Sequence, residues 1–332
     1  MASGWNRAVG NHPILGFLDI SLRGSGQVIF MDNPLTGALN FLAMFWGAWA
    51  GGTTSTVAVG SVVGMLVATA VASALRVDRG ALRKGMYGFN GMLVGAGIPT
   101  FLGAAPLMWG MLVFASAASP VVTLAVNNVF GKWKTPGLTF PFVLTTWLVV
   151  LMAYRIPGLH VIGLSPAALA PQAGMPVPQS GAAASLFGIG GFVHAVLSSV
   201  AQVYFVNNPV SGAIFLFALV VESRWCAGLA VAGAALGTAC ALAMGADIGV
   251  ISSGLWGYSA ALTAPAVGCV YMKTTRGTLV YCLAATLFTV VVQGAMAVPA
   301  QVLGIPVLTF PFILTTWLFM LARRNIESKA RG

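Results

Sequence analysis

Leu138–Leu148 reads LTFPFVLTTWL and Leu308–Leu318 reads LTFPFILTTWL, so ten of eleven positions are identical in two copies 170 residues apart. The chain contains an internal duplication. In each copy a proline follows Thr-Phe and leads into a long apolar run. Proline pushes the residue before it toward extended geometry and suits the first turn of a helix. Thr139 and Thr309 are therefore expected where a helix begins. A helix start leaves backbone N–H groups without intrahelical partners, and proline offers no N–H to the carbonyls upstream. Inside a membrane, such a point would be a polar site in apolar surroundings.

Composition places it there. Hydrophobic residues make up 58% of 332 positions and charged residues 7%, against roughly 25% charged in a soluble domain. Apolar runs long enough for roughly 30 Å of hydrocarbon recur along the whole chain, which reads as an all-α polytopic membrane protein with no soluble domain. The net charge of +10 does not point to nucleic acid. The basic residues fall in short clusters between apolar runs, as cytoplasmic loops do. No secretory signal is expected, the first membrane segment directing insertion itself. Cys226, Cys240, Cys269 and Cys282 lack CxxC spacing and read as small core residues rather than disulfide or metal partners.

Six apolar stretches occupy each half. Two further duplications keep the same order: Gln27–Ala38 (QVIFMDNPLTGA) matches Gln202–Ala213 (QVYFVNNPVSGA) at seven of twelve positions, and Tyr87-Gly88-Phe89-Asn90 with Leu93 matches Trp256-Gly257-Tyr258-Ser259 with Leu262. The reading is a first repeat at 1–155, a Pro-, Ala- and Gly-rich extracytoplasmic linker at 156–185, and a second repeat at 186–332. Five crossings per half would invert the second repeat, whereas six would keep it parallel. With five, Arg76, Arg79, Arg83, Lys84, Lys132 and Lys134 share the cytoplasmic side with Arg224, Lys273, Arg276, Arg323, Arg324, Lys329 and Arg331. Arg155 alone, among basic residues beyond Thr36, stays outside. Six crossings would strand two clusters on the wrong face. The expected architecture is two inverted repeats, each of five transmembrane helices plus one half-length re-entrant pore helix, the latter tolerated only where it lines a cavity.

The repeats also single out side chains. From Phe140 to Tyr154 a helix rises about 22 Å, which places Thr139 and Thr309 close to the midplane. Gln27 and Gln202 carry uncharged amides in apolar runs, and an unpaired amide there costs several kcal/mol, so each must face protein or a lumen. Phe89 with Leu93, and Tyr258 with Leu262, lie four apart and share a helix face. As isolated residues they would be plain packing; paired by the repeat they can form two flat slots. No central carboxylate of the kind that couples transport to protons or sodium is evident, Asp19 and Asp32 belonging to the re-entrant stretch. His194 has no repeat partner and reads as structural. HExxH, GxSxG, Walker A and GxGxxG patterns do not occur, so catalytic machinery and cofactors are not expected.

These motifs, each duplicated and in order, resemble the urea transporter family of channels over nearly the whole chain. The resemblance implies a homotrimer with a pore in each protomer, in a lipid bilayer, passing urea passively. It implies an oxygen ladder at Thr139 and Thr309 and pore-helix polar positions at Gln27 and Gln202. One constriction slot would be Phe30, Phe89 and Leu93, and the other Tyr258, Leu262 and either Val203 or Phe205. Tyr258 stands where that family usually has phenylalanine, and Ser259 where the first half has Asn90, so a more polar second slot is expected. A bacterial inner membrane with both termini cytoplasmic is the expected location. A channel for ammonia, water or short amides, or an ion-coupled secondary transporter, would be the alternatives; an intramembrane enzyme lacks a nucleophile and base.

Overall fold

The computed structural model describes residue 9, residues 12–164 and residues 188–329, with the side chains of the last helix described to 323. Residues 165–185 of the expected linker, the chain ends and the side chains of Arg324, Lys329 and Arg331 lie outside the described residues. The described chain is helical. Its helices are α1 (Pro13–Gln27), α2 (Pro34–Trp49), α3 (Ser55–Ala74), α4 (Arg79–Arg83), α5 (Gly88–Phe101), α6 (Pro106–Gly131) and α7 (Phe140–Ala153). They continue as α8 (Ile189–Gln202), α9 (Pro209–Glu222), α10 (Arg224–Ala243), α11 (Ile248–Ser252), α12 (Tyr258–Pro265), α13 (Arg276–Leu303) and α14 (Phe310–Lys329). The start of the linker leaves an isolated antiparallel bridge between Leu102 and Val161.

The elements up to α7 recur in order as α8 to α14. The Asn-Pro dipeptides found twice in the sequence are helix starts: Asn33 accepts from Leu35 N–H and Asn208 from Ser211 N–H, each with proline in the first turn. One departure breaks the register. α12 runs into a π-helical turn at Ala266–Val270, where α5 has none. Its i→i+5 bonding absorbs one extra residue. Phe89 therefore matches Tyr258, whereas beyond the turn Phe101 matches Tyr271, one position further on.

Among the described residues four helices, α3, α6, α10 and α13, are long and apolar enough to cross a membrane by length and composition. Other apolar helices are shorter: α2, α5, α7 and α9 run 14–16 residues, and the first helix of each half is of the same kind, 15 residues in α1 and 14 in α8. At 1.5 Å per residue that is about 21–23 Å, less than the roughly 30 Å of a bilayer core.

Helix contact is set by small residues. Gly60 and Gly64 of α3 face Gly91 and Gly95 of α5, and a Cβ on Gly64 would meet the Gly91 carbonyl oxygen at 2.2 Å. α10 packs on α12 in the same way, a Cβ on Gly233 falling 2.3 Å from the Ala260 carbonyl oxygen. Without water to drive association, such close backbone approach is how membrane helices gain van der Waals contact. Large apolar side chains instead point outward, Phe114 and Val280 among them, as hydrocarbon allows. The cysteines are free, yet Cys226 Sγ and Cys269 Sγ lie 2.6 Å apart, a contact their spacing does not foretell. The protein is an α-helical, multi-pass membrane protein.

Candidate functional site

Thr139 and Thr309 occupy the centre. Leu138 and Leu308 each adopt φ 52°, a left-handed conformation that costs a side-chain-bearing residue on the order of 1 kcal/mol or more. That turn sets each threonine at the cap of α7 or α14. Thr139 makes no side-chain bond to its own helix. Its Oγ1 lies 2.7 Å from Thr309 Oγ1, both residues being buried. Trp147 Nε1–H donates to the Pro306 carbonyl at 2.7 Å and Trp317 Nε1–H to the Pro136 carbonyl at 2.8 Å. Each bond is the other with the repeats exchanged. So are the ring contacts of Trp147 with Phe310 and Trp317 with Phe140.

The ends of α1 and α8 flank this centre. Gln27 Nε2 donates to the Lys84 carbonyl at 2.9 Å and Gln202 Nε2 to the Ser253 carbonyl at 2.8 Å. Anchoring the amide nitrogen in each case leaves the oxygen as the end to face elsewhere. Three residues on, Phe30 and Phe205 take φ 67° and 61°, and the following N–H bonds return to Gly26 and Ala201. This is a left-handed helix cap, where glycine is usual. Phenylalanine there turns its ring into an aromatic cluster. Phe30 packs with Tyr271 and Phe312, and Phe205 with Phe101 and Phe142, at centroid distances of 5.9–6.0 Å.

Phe89, Leu93, Tyr258 and Leu262 are all buried on α5 and α12. Beside them the two halves solve one problem differently. Asn90 Nδ2 reaches the Leu138 carbonyl and Thr123 Oγ1, both at 3.4 Å, while its Oδ1 accepts from Phe142 N–H at 3.2 Å. In the second half Ser259 Oγ donates to Gln293 Oε1 at 3.0 Å. Gln293 stands where Thr123 does, so a long–short pair has become a short–long pair. The carbonyl of Leu308 is then met by the Tyr258 hydroxyl. The extra oxygen of Tyr258 thus meets the Leu308 carbonyl as Asn90 meets that of Leu138.

A cavity of about 740 Å³ opens onto this centre from the second-half side. Gln202, Val203, Phe205, Tyr258 and Thr309 line it together. Both Val203 and Phe205 contribute, and Phe205 alone repeats the backbone and ring contacts of Phe30. Gln27, Phe30, Phe89, Leu93, Thr139 and Leu262 do not line that cavity. A smaller pocket of about 300 Å³ is lined by Lys134, Thr135, Tyr271, Met272, Lys273, Met320 and Arg323. Candidate residues that sequence reading passed over are Phe142 and Phe312, already inside the duplicated LTFPF, and Phe101 and Tyr271, which align only once the π turn is known. Arg23 binds Asp19 at 2.7 Å and Asp32 at 2.9 Å, and Asp32 N–H donates to Glu222 Oε1 at 3.2 Å.

A family model described as urea transporter matches residues 18–324. The chain belongs to the urea transporter family. Every candidate residue, from Gln27 to Thr309, lies inside the matched span. The chain is 31% identical to urea transporter 1 of Capra hircus over 313 residues, 92% of this chain and 77% of that protein. It is likewise 31% identical to urea transporter 1 of Rattus norvegicus over 316 residues, 93% of this chain and 77% of that protein.

Proposed function

We propose that the protein carries urea passively across the membrane, through one pore per protomer that runs between the Phe30 and Phe205 clusters past the Thr139–Thr309 pair. The observation that carries this reading is the contact between a buried threonine and its own repeat counterpart, flanked by mirrored aromatic clusters. Urea is planar, neutral and rich in N–H donors. Flat aromatic and leucine walls, Phe30, Phe89 and Leu93 on one side and Tyr258, Leu262, Val203 and Phe205 on the other, select its shape. A hydroxyl that donates to its neighbour still has an acceptor lone pair. Thr139 and Thr309 can therefore keep their mutual bond while accepting from urea, with Gln27 and Gln202 oxygens as further rungs. The weak, repeated acceptors replace lost water without holding the substrate, as conduction requires.

The halves are inverted repeats in this reading, each with five crossings and one half-length helix, α1 or α8. Reciprocal bonds support a two-fold relation. The basic residues support its direction, since only inversion gathers the clusters around Arg79, Lys132, Lys273 and Arg323 on one face. Asp19 and Asp32 are engaged by Arg23 and sit away from the threonine pair in sequence and contacts, which favours passive conduction over ion coupling. The assembly is a homotrimer in a bacterial inner membrane with cytoplasmic termini, and the protein is a transporter rather than an enzyme. Stopped-flow flux from proteoliposomes tests the reading. Urea should pass faster than formamide or ammonia, and Thr139→Val with Thr309→Val should lower urea flux. Unchanged flux in that double variant would remove the threonines from the pathway.

A further inference from the structure

Cys226 lies in the first turn of α10 and Cys269 in the π turn at Ala266–Val270, 43 residues further along the chain. Their Sγ atoms are 2.6 Å apart. Local bonds hold both residues in place. Cys226 N–H donates to Ser223 Oγ at 3.2 Å, which caps α10, and Cys269 Sγ donates to the Pro265 carbonyl at 3.3 Å. Thr274 Oγ1 donates to the Gly268 carbonyl at 2.9 Å and ties down the far side of the turn. Cys226 is buried and Cys269 half-buried.

The duplication provides an internal comparison. A Cβ on Gly64 would meet the Gly91 carbonyl and one on Gly233 the Ala260 carbonyl, so these glycines correspond and Val57 stands where α10 has Cys226. All four cysteines belong to the second half. The π turn, which α5 lacks, is equally confined to it. Such turns displace the backbone they interrupt and are frequent at functional sites. A small core residue needs neither a sulfur nor a turn of this kind. Two sulfurs brought together from separate elements can instead react with each other. A shared metal ion would hold them roughly 4 Å apart, as two bonds of about 2.3 Å require. Among the described residues no group of three or more His, Cys, Asp or Glu side chains could hold such an ion.

We propose that Cys226 and Cys269 are an oxidative modification site, a thiol pair that closes to a disulfide under peroxide and slows urea as it does so. Peroxide oxidises Cys269, the more exposed of the two, to a sulfenic acid: its sulfur takes one peroxide oxygen, the O–O bond breaks and one water leaves. The Cys226 sulfur then attacks the Cys269 sulfur, the S–O bond breaks and a second water leaves. Each sulfur has given up one electron, peroxide has gained two, and both thiol protons end in water. On the topology proposed above the pair lies toward the cytoplasmic face, close in sequence to Arg224 and Lys273, where thiols stay reduced until an oxidant rises. The consequence for flux rests on the pore reading. Cys269 stands two residues before Tyr271, whose ring packs edge-on against Phe30 at 5.9 Å. Bonding Cys269 to α10 restrains that segment, and with it the freedom of Phe30 to yield as urea passes.

The test uses the full-length protein, purified reduced and reconstituted in liposomes. After hydrogen peroxide, the four thiols titrated in denaturant should fall to two, dithiothreitol should restore them, and peptide mapping by mass spectrometry should find Cys226 linked to Cys269 within one chain. C226S cannot close the bond and should accumulate a sulfenic acid at Cys269 that dimedone traps. C240S/C282S should link as the parent does. Stopped-flow urea flux should fall when the parent is oxidised and recover with dithiothreitol, while C226S and C269S keep the same flux throughout. Four thiols surviving peroxide, linkage to Cys240 or Cys282 instead, linkage between chains, or over-oxidation without linkage overturns the proposal, and the parent protein alone decides this even if the serine variants fold poorly. Linkage with unchanged flux overturns the effect on conduction. A protein that forms the disulfide but passes no urea in either state refutes the pore reading and leaves the modification site standing.

Discussion

At the scale of single residues, Thr139 and Thr309 behave as a unit. One hydrogen bond joins the two buried hydroxyls, one donating and the other accepting. Replacing one with valine leaves the second without its partner at a cost of about 1–3 kcal/mol, while replacing both with isosteric valines removes the unmet group as well. A double-mutant cycle by chemical unfolding in mixed micelles should therefore be non-additive, the double variant being more stable than the sum of the single effects. Additive losses would mean that the two hydroxyls do not depend on each other. The residue type and position of this pair were legible in the sequence, because the duplication marks both. Their contact was not, since an offset of 170 residues says nothing of how the halves meet.

Helices and the turns between them carry the asymmetry of the two halves. Asn90 holds the Leu138 carbonyl and the Phe142 N–H, so Asn90→Ser should cost about 1–3 kcal/mol by leaving buried backbone groups unpaired. F89Y/N90S/T123Q copies the arrangement of the second half. It should recover part of that loss, as read from thermal unfolding; a triple variant less stable than N90S would reject the exchange of roles. Helix approach gives a second test. Gly64→Ala places a methyl 2.2 Å from the Gly91 carbonyl oxygen, so α3 and α5 must part, and the unfolding temperature should fall by several degrees. Sequence pattern located the proline-led starts of α7 and α14, because proline in a first turn is local chemistry. It missed the π turn, and with it Phe101 and Tyr271, because a one-residue insertion is invisible to motif matching at a fixed spacing. Ring partners such as Phe142 and Phe312 also depend on where a left-handed turn aims Phe30 and Phe205, and that is set by backbone geometry rather than residue type.

For the whole molecule, the class of fold was written in composition, and membership of the urea transporter family in three ordered duplications. Crossing number rests on the basic residues. Cysteines introduced singly into the Arg79 and Lys273 loops should be labelled from the same face by an impermeant maleimide, and labelling from opposite faces would contradict inversion. The account stands or falls on passive urea conduction past the threonine pair. Stopped-flow urea permeability of purified protein in liposomes, with and without proton and sodium gradients, measures it directly. The account predicts rapid flux down the urea gradient that ion gradients leave unchanged and that T139V/T309V lowers roughly tenfold, the equivalent of about one lost hydrogen bond. Uphill urea accumulation driven by an ion gradient, or permeability no greater than that of empty liposomes, would contradict it.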